Sequence, residues 1–231
     1  METKKLQALR FEIDNDDYTL DFGIEQVKSL AQFSRNKKGN VTSSDLIKFA
    51  LKKDDKVGFI TDKKAKDITH ALIGGVEWGD DFMEFEEIIE YIVGLFAQAI
   101  NEESEKHTPA IIHINDDNTV NITVDGVEHK LKYLRRDLEE MYTNDLSGSA
   151  SILENYLVGT ALIHTGLLHT KKNPSAGLKD SIFMSAWATM NHEETKHDFE
   201  NMINALVVHA QDVLEDGVKK SNAVIKMKTK I

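Results

Sequence analysis

The sequence predicts a mostly helical α+β protein that consists of two tandem copies of one unit, each a β-hairpin followed by about four helices. Three observations support this prediction. The 231 residues include only two prolines and many Ala, Leu, Ile, Glu and Lys residues, which favours helix. Alternating aromatic and branched residues surround two turn-rich clusters. The segment around the first cluster recurs around the second cluster at an offset of 111 residues, and one apolar helical pattern recurs at an offset of 114 residues.

The first repeated segment predicts the hairpins. IDNDDYTLDF at residues 13–22 matches VDGVEHKLKY at residues 124–133, an offset of 111. In both copies the strand-forming residues flank a turn cluster, DNDD in the first and DG in the second, which is the signal of a hairpin. In the second copy, IIHI at residues 111–114 precedes another turn cluster and predicts a third strand.

The second repeated segment predicts the last helix of each copy. FEEIIEYIVGLFAQAINE from Phe85 matches FENMINALVVHAQDVLED from Phe199, an offset of 114, and the shared apolar residues recur with helical period. The two tryptophans, Trp78 and Trp187, lie between the repeated segments at an offset of 109. We therefore predict that they occupy equivalent core positions on the approach to the last helix of each copy.

Cap residues and apolar periodicity predict the remaining helices. Thr42 with Asp45 three residues later predicts a helix start of the capping-box type. A further helix is predicted to be capped by Asp62 and ended by Gly74 and Gly75. Apolar residues at helical spacing predict a helix before these in the first copy and one in the middle of the second: Ile24, Val27, Leu30 and Ala31, and Ile152, Leu153, Tyr156, Leu157 and Ala161.

These elements divide the chain into a first unit at residues 1–100, a polar linker at 101–110, a second unit at 111–215 and a basic C-terminal arm at 216–231. In the arm, lysines alternate with apolar residues, which predicts a strand or an extended segment that adds to a sheet edge. The alternative is a frayed basic terminus.

The charge of the chain argues against several classes of partner. Residues 101–215 carry 9 basic and 19 acidic side chains, and the whole chain has a net charge of −11. An acidic body repels phosphate backbones, so we expect no nucleic acid partner. No apolar run approaches the roughly 20 residues that a membrane span requires. The charged N-terminal residues do not fit a signal peptide, and cysteine is absent, so we expect a cytosolic protein.

Metal and cofactor sites are not predicted. HEETKH at residues 192–197 resembles a zinc-binding motif, but its two histidines are five residues apart and would diverge by about 140° on a helix. We expect Asn191 or His192 to cap the last helix instead. DNDDYTLDFGIE, from Asp14, has some oxygen donors of a calcium loop but lacks its glycine, and its alternation is better explained by a strand. We therefore expect a protein without cofactor, metal or catalytic residues.

The last helix of the first copy is predicted to offer a partner-binding surface. Its large apolar residues cover more of the circumference than a single core contact needs. The expected partner is a long amphipathic helix. The alternatives are a central helix with neighbours on several sides, and self-association into a homo-oligomer. The candidate partner-binding residues are Phe82, Phe85, Tyr91, Leu95 and Phe96.

At LRFEIDNDDYTLDFGIEQVKSL, residues 9–30, the chain resembles bacteriophage tail assembly chaperones of long-tailed phages that infect Gram-positive hosts. The resemblance covers roughly residues 6–102 and consists of a hairpin, an aromatic-Gly step and helices that end in an acidic amphipathic one. It implies a non-enzymatic protein that binds the tape-measure protein and recruits tail-tube subunits.

The resemblance also implies a location in the host cytoplasm and absence from the mature virion. The second copy takes the place that a frameshift extension occupies in such proteins. The alternatives are a structural tail or head-joining component of a phage and a metal-dependent hydrolase.

Overall fold

The structure is a computed structural model that describes residues 5–13, 15–36, 41–53, 61–78, 81–141, 152–168 and 174–228. The side chains of residues 53, 78, 81 and 217–228 are outside this description. The chain divides into two compact units, Met1–Glu103 and Ser104–Ile231. The prediction of a mostly helical α+β fold is confirmed.

The described residues of unit 1 form two small antiparallel sheets and four helices. In the first sheet β2 lies between β1 and β3, and β4 pairs with β5 in the second. Strands β3, β4 and β5 were not among the predicted elements. The elements in chain order are β1 (Leu9–Ile13), β2 (Asp16–Leu20), α1 (Ile24–Asn36), α2 (Ser43–Ala50), β3 (Leu51–Lys53), α3 (Asp62–Leu72), β4 (Val76–Trp78), β5 (Asp81–Met83) and α4 (Phe85–Ser104).

The local sequence explains where these elements begin. The predicted capping box at α2 is present, because Thr42 Oγ1 accepts a hydrogen bond from Asp45 N and the Asp45 carboxylate accepts one from Thr42 N. The prediction that Asp62 caps α3 is wrong by one residue. Thr61 is the cap, and its hydroxyl accepts a hydrogen bond from Lys64 N. Both residue types are good caps, so only the backbone geometry distinguishes them.

In unit 2, the part of the chain that the structure describes forms one three-stranded antiparallel sheet, with β7 between β6 and β8, and four helices. The predicted third strand, β6, is therefore present. The core around α6, α7 and α8 includes an aromatic cluster of Tyr156, Phe183, Trp187 and Phe199, whose neighbouring rings lie 4.8–5.9 Å apart. The elements are β6 (Ile111–Ile114), β7 (Val120–Val124), β8 (Val127–Lys130), α5 (Arg135–Met141), α6 (Ile152–Leu167), α7 (Ala176–Ala188), a 3₁₀ turn (Thr189–Asn191) and α8 (Asp198–Lys228).

The two units share the geometry of the hairpin and of the helix ends around it. β1–β2 and β7–β8 are both joined by two-residue turns. Shortly after each hairpin, one residue after β2 and two residues after β8, a backbone N–H donates to a carbonyl at the C-terminal end of the second helix of the unit. Asp21 N bonds to Ala50 O, and Lys132 N bonds to Gly166 O, each at 2.9 Å. Asp21 and Lys132 are related by the sequence offset of 111, so the repeat in the sequence corresponds to a repeat in hydrogen bonding.

The units differ in their additional strands. In unit 1, β3 follows the second helix and pairs with the second strand of the hairpin, β2. In unit 2, β6 precedes the hairpin and pairs with its first strand, β7. The prediction of equivalent tryptophans is wrong, because Trp78 ends strand β4 whereas Trp187 lies in helix α7. Their offset of 109 matches neither repeated segment, which reflects two different local structures.

Two predicted segment boundaries also need correction. Residues 101–104 of the predicted linker form the last turn of α4. The arm at 216–231 was predicted to be extended, but α8 continues through it as far as Lys228. No proline interrupts this segment, so the helix that starts at Asp198 can continue through it despite the short alternating pattern. Residues 229–231 lie outside the described part of the chain.

Candidate functional site

The predicted partner-binding residues separate into buried and exposed groups around α4. Leu95 is 2 % exposed and Phe96 is fully buried, so both belong to the core of unit 1. The Phe96 ring packs edge-to-face on Phe22, with ring centroids 5.4 Å apart. The prediction that these two residues offer surface to a partner does not fit this placement. The apolar face of α4 is wide because the helix is central to its unit.

Tyr91 lies on a face of α4 that the chain's own N-terminal segment covers. The Tyr91 hydroxyl donates a hydrogen bond to the carbonyl of Gln7 at 2.7 Å and accepts one from its N–H at 3.2 Å. One and two turns further along α4, Gly94 lies against the Leu6 side chain and the Gln98 side chain accepts a hydrogen bond from Leu6 N at 2.8 Å. This face of α4 is therefore already occupied.

Phe82 and Phe85 lie at the start of α4, and they remain available. Phe82 is 58 % exposed in β5, and Phe85 is half-buried as the first residue of the helix. Ile73, at the C-cap of α3, is 59 % exposed. We refer to Phe82 and Phe85 as the α4 N-terminal surface. Ile73 was not among the predicted residues; its signal in the sequence is an apolar residue directly before the helix-ending glycines.

Gly75 positions the Phe82 ring. Gly75 has φ +79, a conformation that L side chains rarely adopt, and a Cβ atom placed there would overlap the Phe82 ring and crowd the Met83 carbonyl. A glycine at this position thus permits both the turn after α3 and the close approach of the ring. The ring covers the turn from one side and keeps more than half of its surface in solvent.

Carboxylates surround the α4 N-terminal surface. Glu77 pairs with Phe82 across the β4–β5 hairpin. Glu84, Glu86 and Glu87 are exposed and flank the first turn of α4. The Glu87 side chain accepts a hydrogen bond from Glu84 N at 2.8 Å, which satisfies one N–H at the helix start. The site thus combines exposed apolar side chains with a negative rim, an arrangement suited to an apolar partner that carries basic residues beside its apolar stripe.

The histidines of HEETKH are placed differently from the prediction. His192 and His197 both precede α8, which begins at Asp198, so the angle expected for a helix does not apply to them. Neither Asn191 nor His192 caps α8; the carbonyl of His197 accepts the hydrogen bond from Asn201 N, and the Asn191 side chain donates to Ser104 Oγ. Within the described residues, no group of three or more His, Asp or Glu side chains is arranged to hold a metal ion.

None of the helices in the described part of the chain is both long and apolar enough to cross a membrane. Comparisons with models of known protein families, with curated proteins and with solved structures found no match for this chain.

Proposed function

We propose that this protein is a non-enzymatic assembly chaperone of a bacteriophage tail, which binds the tape-measure protein and helps to recruit tail-tube subunits. It acts in the host cytoplasm and is absent from the mature virion. The resemblance of residues 6–102 to such chaperones supports the proposal, as does the acidic charge of the chain. A negative net charge keeps a protein that handles apolar clients soluble.

The observation that carries this proposal is the exposure of Phe82, just before the start of α4. A tape-measure protein is a long helix with an apolar stripe, which aggregates when it is left uncovered. Exposed aromatic and branched side chains give such a stripe a place to bind. The carboxylates of Glu77, Glu84 and Glu86 add a rim that attracts basic residues on the client and repels acidic surfaces.

A capture experiment tests the proposal. The tape-measure protein of the same phage is co-expressed with this chain, and its soluble, chain-bound fraction is measured. Phe82→Asp removes an apolar contact worth about 1.5–3 kcal/mol, so we expect capture to weaken by about 10-fold or more. The matched control is Leu178→Asp, which places the same charge on a comparably exposed apolar residue of α7 in unit 2.

Three outcomes contradict the proposal. Capture that both substitutions leave unchanged excludes the α4 N-terminal surface. A tape-measure protein that is equally soluble without this chain excludes the chaperone function. Detection of the chain in purified virions by mass spectrometry favours a structural tail or head-joining component instead.

A further inference from the structure

β6 differs from the other edge strands of the two three-stranded sheets because it carries no charged side chain. Edge strands expose unpaired backbone groups, and proteins commonly protect them from pairing with other chains by placing charged residues there. The protected edges contain Arg10 and Glu12 in β1, Lys52 in β3, and Glu128 and Lys130 in β8. The sequence of β6 is Ile-Ile-His-Ile.

The hydrogen bonding of β6 leaves two of its peptide groups facing outward. Asn115 N donates to Thr119 O at 2.9 Å, so residues 115 and 119 form a hydrogen-bonded pair. Because such pairs alternate in an antiparallel ladder, residues 113 and 111 also bond to β7. The N–H and C=O groups of Ile112 and Ile114 therefore point away from β7. No hydrogen bond joins them to another described part of the chain.

The side chains at this edge are also exposed. Ile111 is 72 % exposed, the largest exposed fraction among the large apolar residues of the described chain, and Ile114 is 37 % exposed. Residues 101–215 carry a net charge of −10, so an uncharged, apolar edge is unusual on this unit. The edge offers two acidic molecules a place to meet without direct charge repulsion.

We propose that β6 pairs antiparallel with β6 of a second copy of this chain and forms a continuous six-stranded sheet about a two-fold axis at His113. In this register Ile112 of each copy lies opposite Ile114 of the other copy, which gives two such pairs. Both residues of each pair have outward-facing peptide groups, so the two pairs provide four backbone hydrogen bonds. The same pairs place branched side chains opposite each other, which favours strand pairing.

A second copy fits this edge for two reasons. The outward groups of β6 complement those of an identical strand, as an interface with two-fold symmetry requires. In addition, no like charges lie opposite each other in this register, because Asp116 faces Ala110 and Asp117 faces Pro109. The inference rests on unit 2 alone and does not depend on the proposed function.

The oligomeric state of the full chain tests this pairing. Sedimentation velocity over a concentration series is expected to show a monomer–dimer equilibrium. Ile114→Pro removes an outward N–H that β7 does not use, so the dimer is expected to weaken at least 10-fold while the circular dichroism spectrum stays unchanged.

Cysteine cross-linking gives a second test that does not depend on how the proline is tolerated. The chain has no cysteine, so His113→Cys introduces a single thiol at the two-fold axis. Directly opposite residues in a non-hydrogen-bonded pair have Cα atoms about 4.5 Å apart, which a disulfide spans. Mild oxidation is expected to convert this variant to a covalent dimer, whereas Lys130→Cys on the other edge of the same sheet stays largely monomeric.

A chain that remains monomeric at every concentration overturns the proposal. So does a dimer that resists Ile114→Pro and fails to cross-link through position 113, because it uses another surface. A monomer whose β6 binds an extended segment of the tape-measure protein, with loss on Ile114→Pro, shows that the edge serves a different occupant.

Discussion

Substituting alanine for glycine is expected to have opposite effects at two helical positions of unit 2. Gly159 lies in α6, where a Cβ atom would be 2.8 Å from Ile203 Cδ1, 3.1 Å from Phe199 Cζ and 3.2 Å from Phe183 Cε2. Gly177 lies near the start of α7, and nothing comes within 4 Å of the same atom. The same added methyl group therefore enters a packed core at Gly159 and open space at Gly177.

The magnitudes follow from two opposing contributions. Alanine at a helix interior gains about 0.5–1 kcal/mol over glycine, and less near a terminus. At Gly159 the new methyl group is closer to three side chains than the usual 3.5–4.0 Å. Because Ile203, Phe199 and Phe183 are themselves buried, they have little room to move, and such overpacking costs about 1–3 kcal/mol. We expect Gly177→Ala to be neutral or stabilising, and Gly159→Ala to be about 1–3 kcal/mol less stable than Gly177→Ala.

Denaturant unfolding followed by tryptophan fluorescence measures this difference. In a Trp78→Phe background, the fluorescence comes from Trp187, whose ring lies 4.8 Å from that of Phe199 in the same core. The signal therefore reports unit 2. If Gly159→Ala proves as stable as Gly177→Ala, α6, α7 and α8 are not packed as closely as the distances indicate.

Two further predictions concern the cap of α2 and the titration of β8. Thr42→Ala removes one half of the capping box and is expected to destabilise unit 1 by about 0.5–2 kcal/mol in denaturant unfolding followed by circular dichroism, whereas Ser44→Ala has little effect. Burial lowers the pKa of the His129 imidazole, so the folded state favours the neutral ring. The stability of unit 2 is then highest above the unfolded pKa of about 6.5 and falls as the pH drops through that value toward the lower folded pKa. His129→Gln is expected to flatten this part of the pH profile, and an unchanged slope would assign it to another group.

Much of the fold could be predicted from the sequence because the signals are local. The two-residue turns, the capping box at Thr42 and the glycine stop after α3 each depend on a few neighbouring residues. The third strand of unit 2 was predicted in the same way. Strands β3, β4 and β5 were missed because each has only three residues, too few for an alternating pattern. β3 in addition exists only through its pairing with β2, about 30 residues earlier in the chain.

The candidate site was only partly predictable, because exposure depends on what packs around a helix. Phe82, Phe85, Tyr91, Leu95 and Phe96 all fit one apolar pattern. The tertiary structure buries Leu95 and Phe96 in the core, covers the Tyr91 face with the N-terminal segment, and exposes Phe82. Hydrophobic periodicity identifies the apolar face of a helix but does not show how many other parts of the chain pack against that face.

The sequence by itself therefore determined the fold class, the repeated hairpin, the starts of α2 and α3 to within one residue and the end of α3, since short-range backbone preferences decide these features. Only the tertiary structure decided which apolar residues face solvent, that the two tryptophans are not equivalent, and that β6 is the uncharged edge of its sheet. These features depend on contacts between residues far apart in the chain, and such contacts are fixed by packing rather than by local sequence.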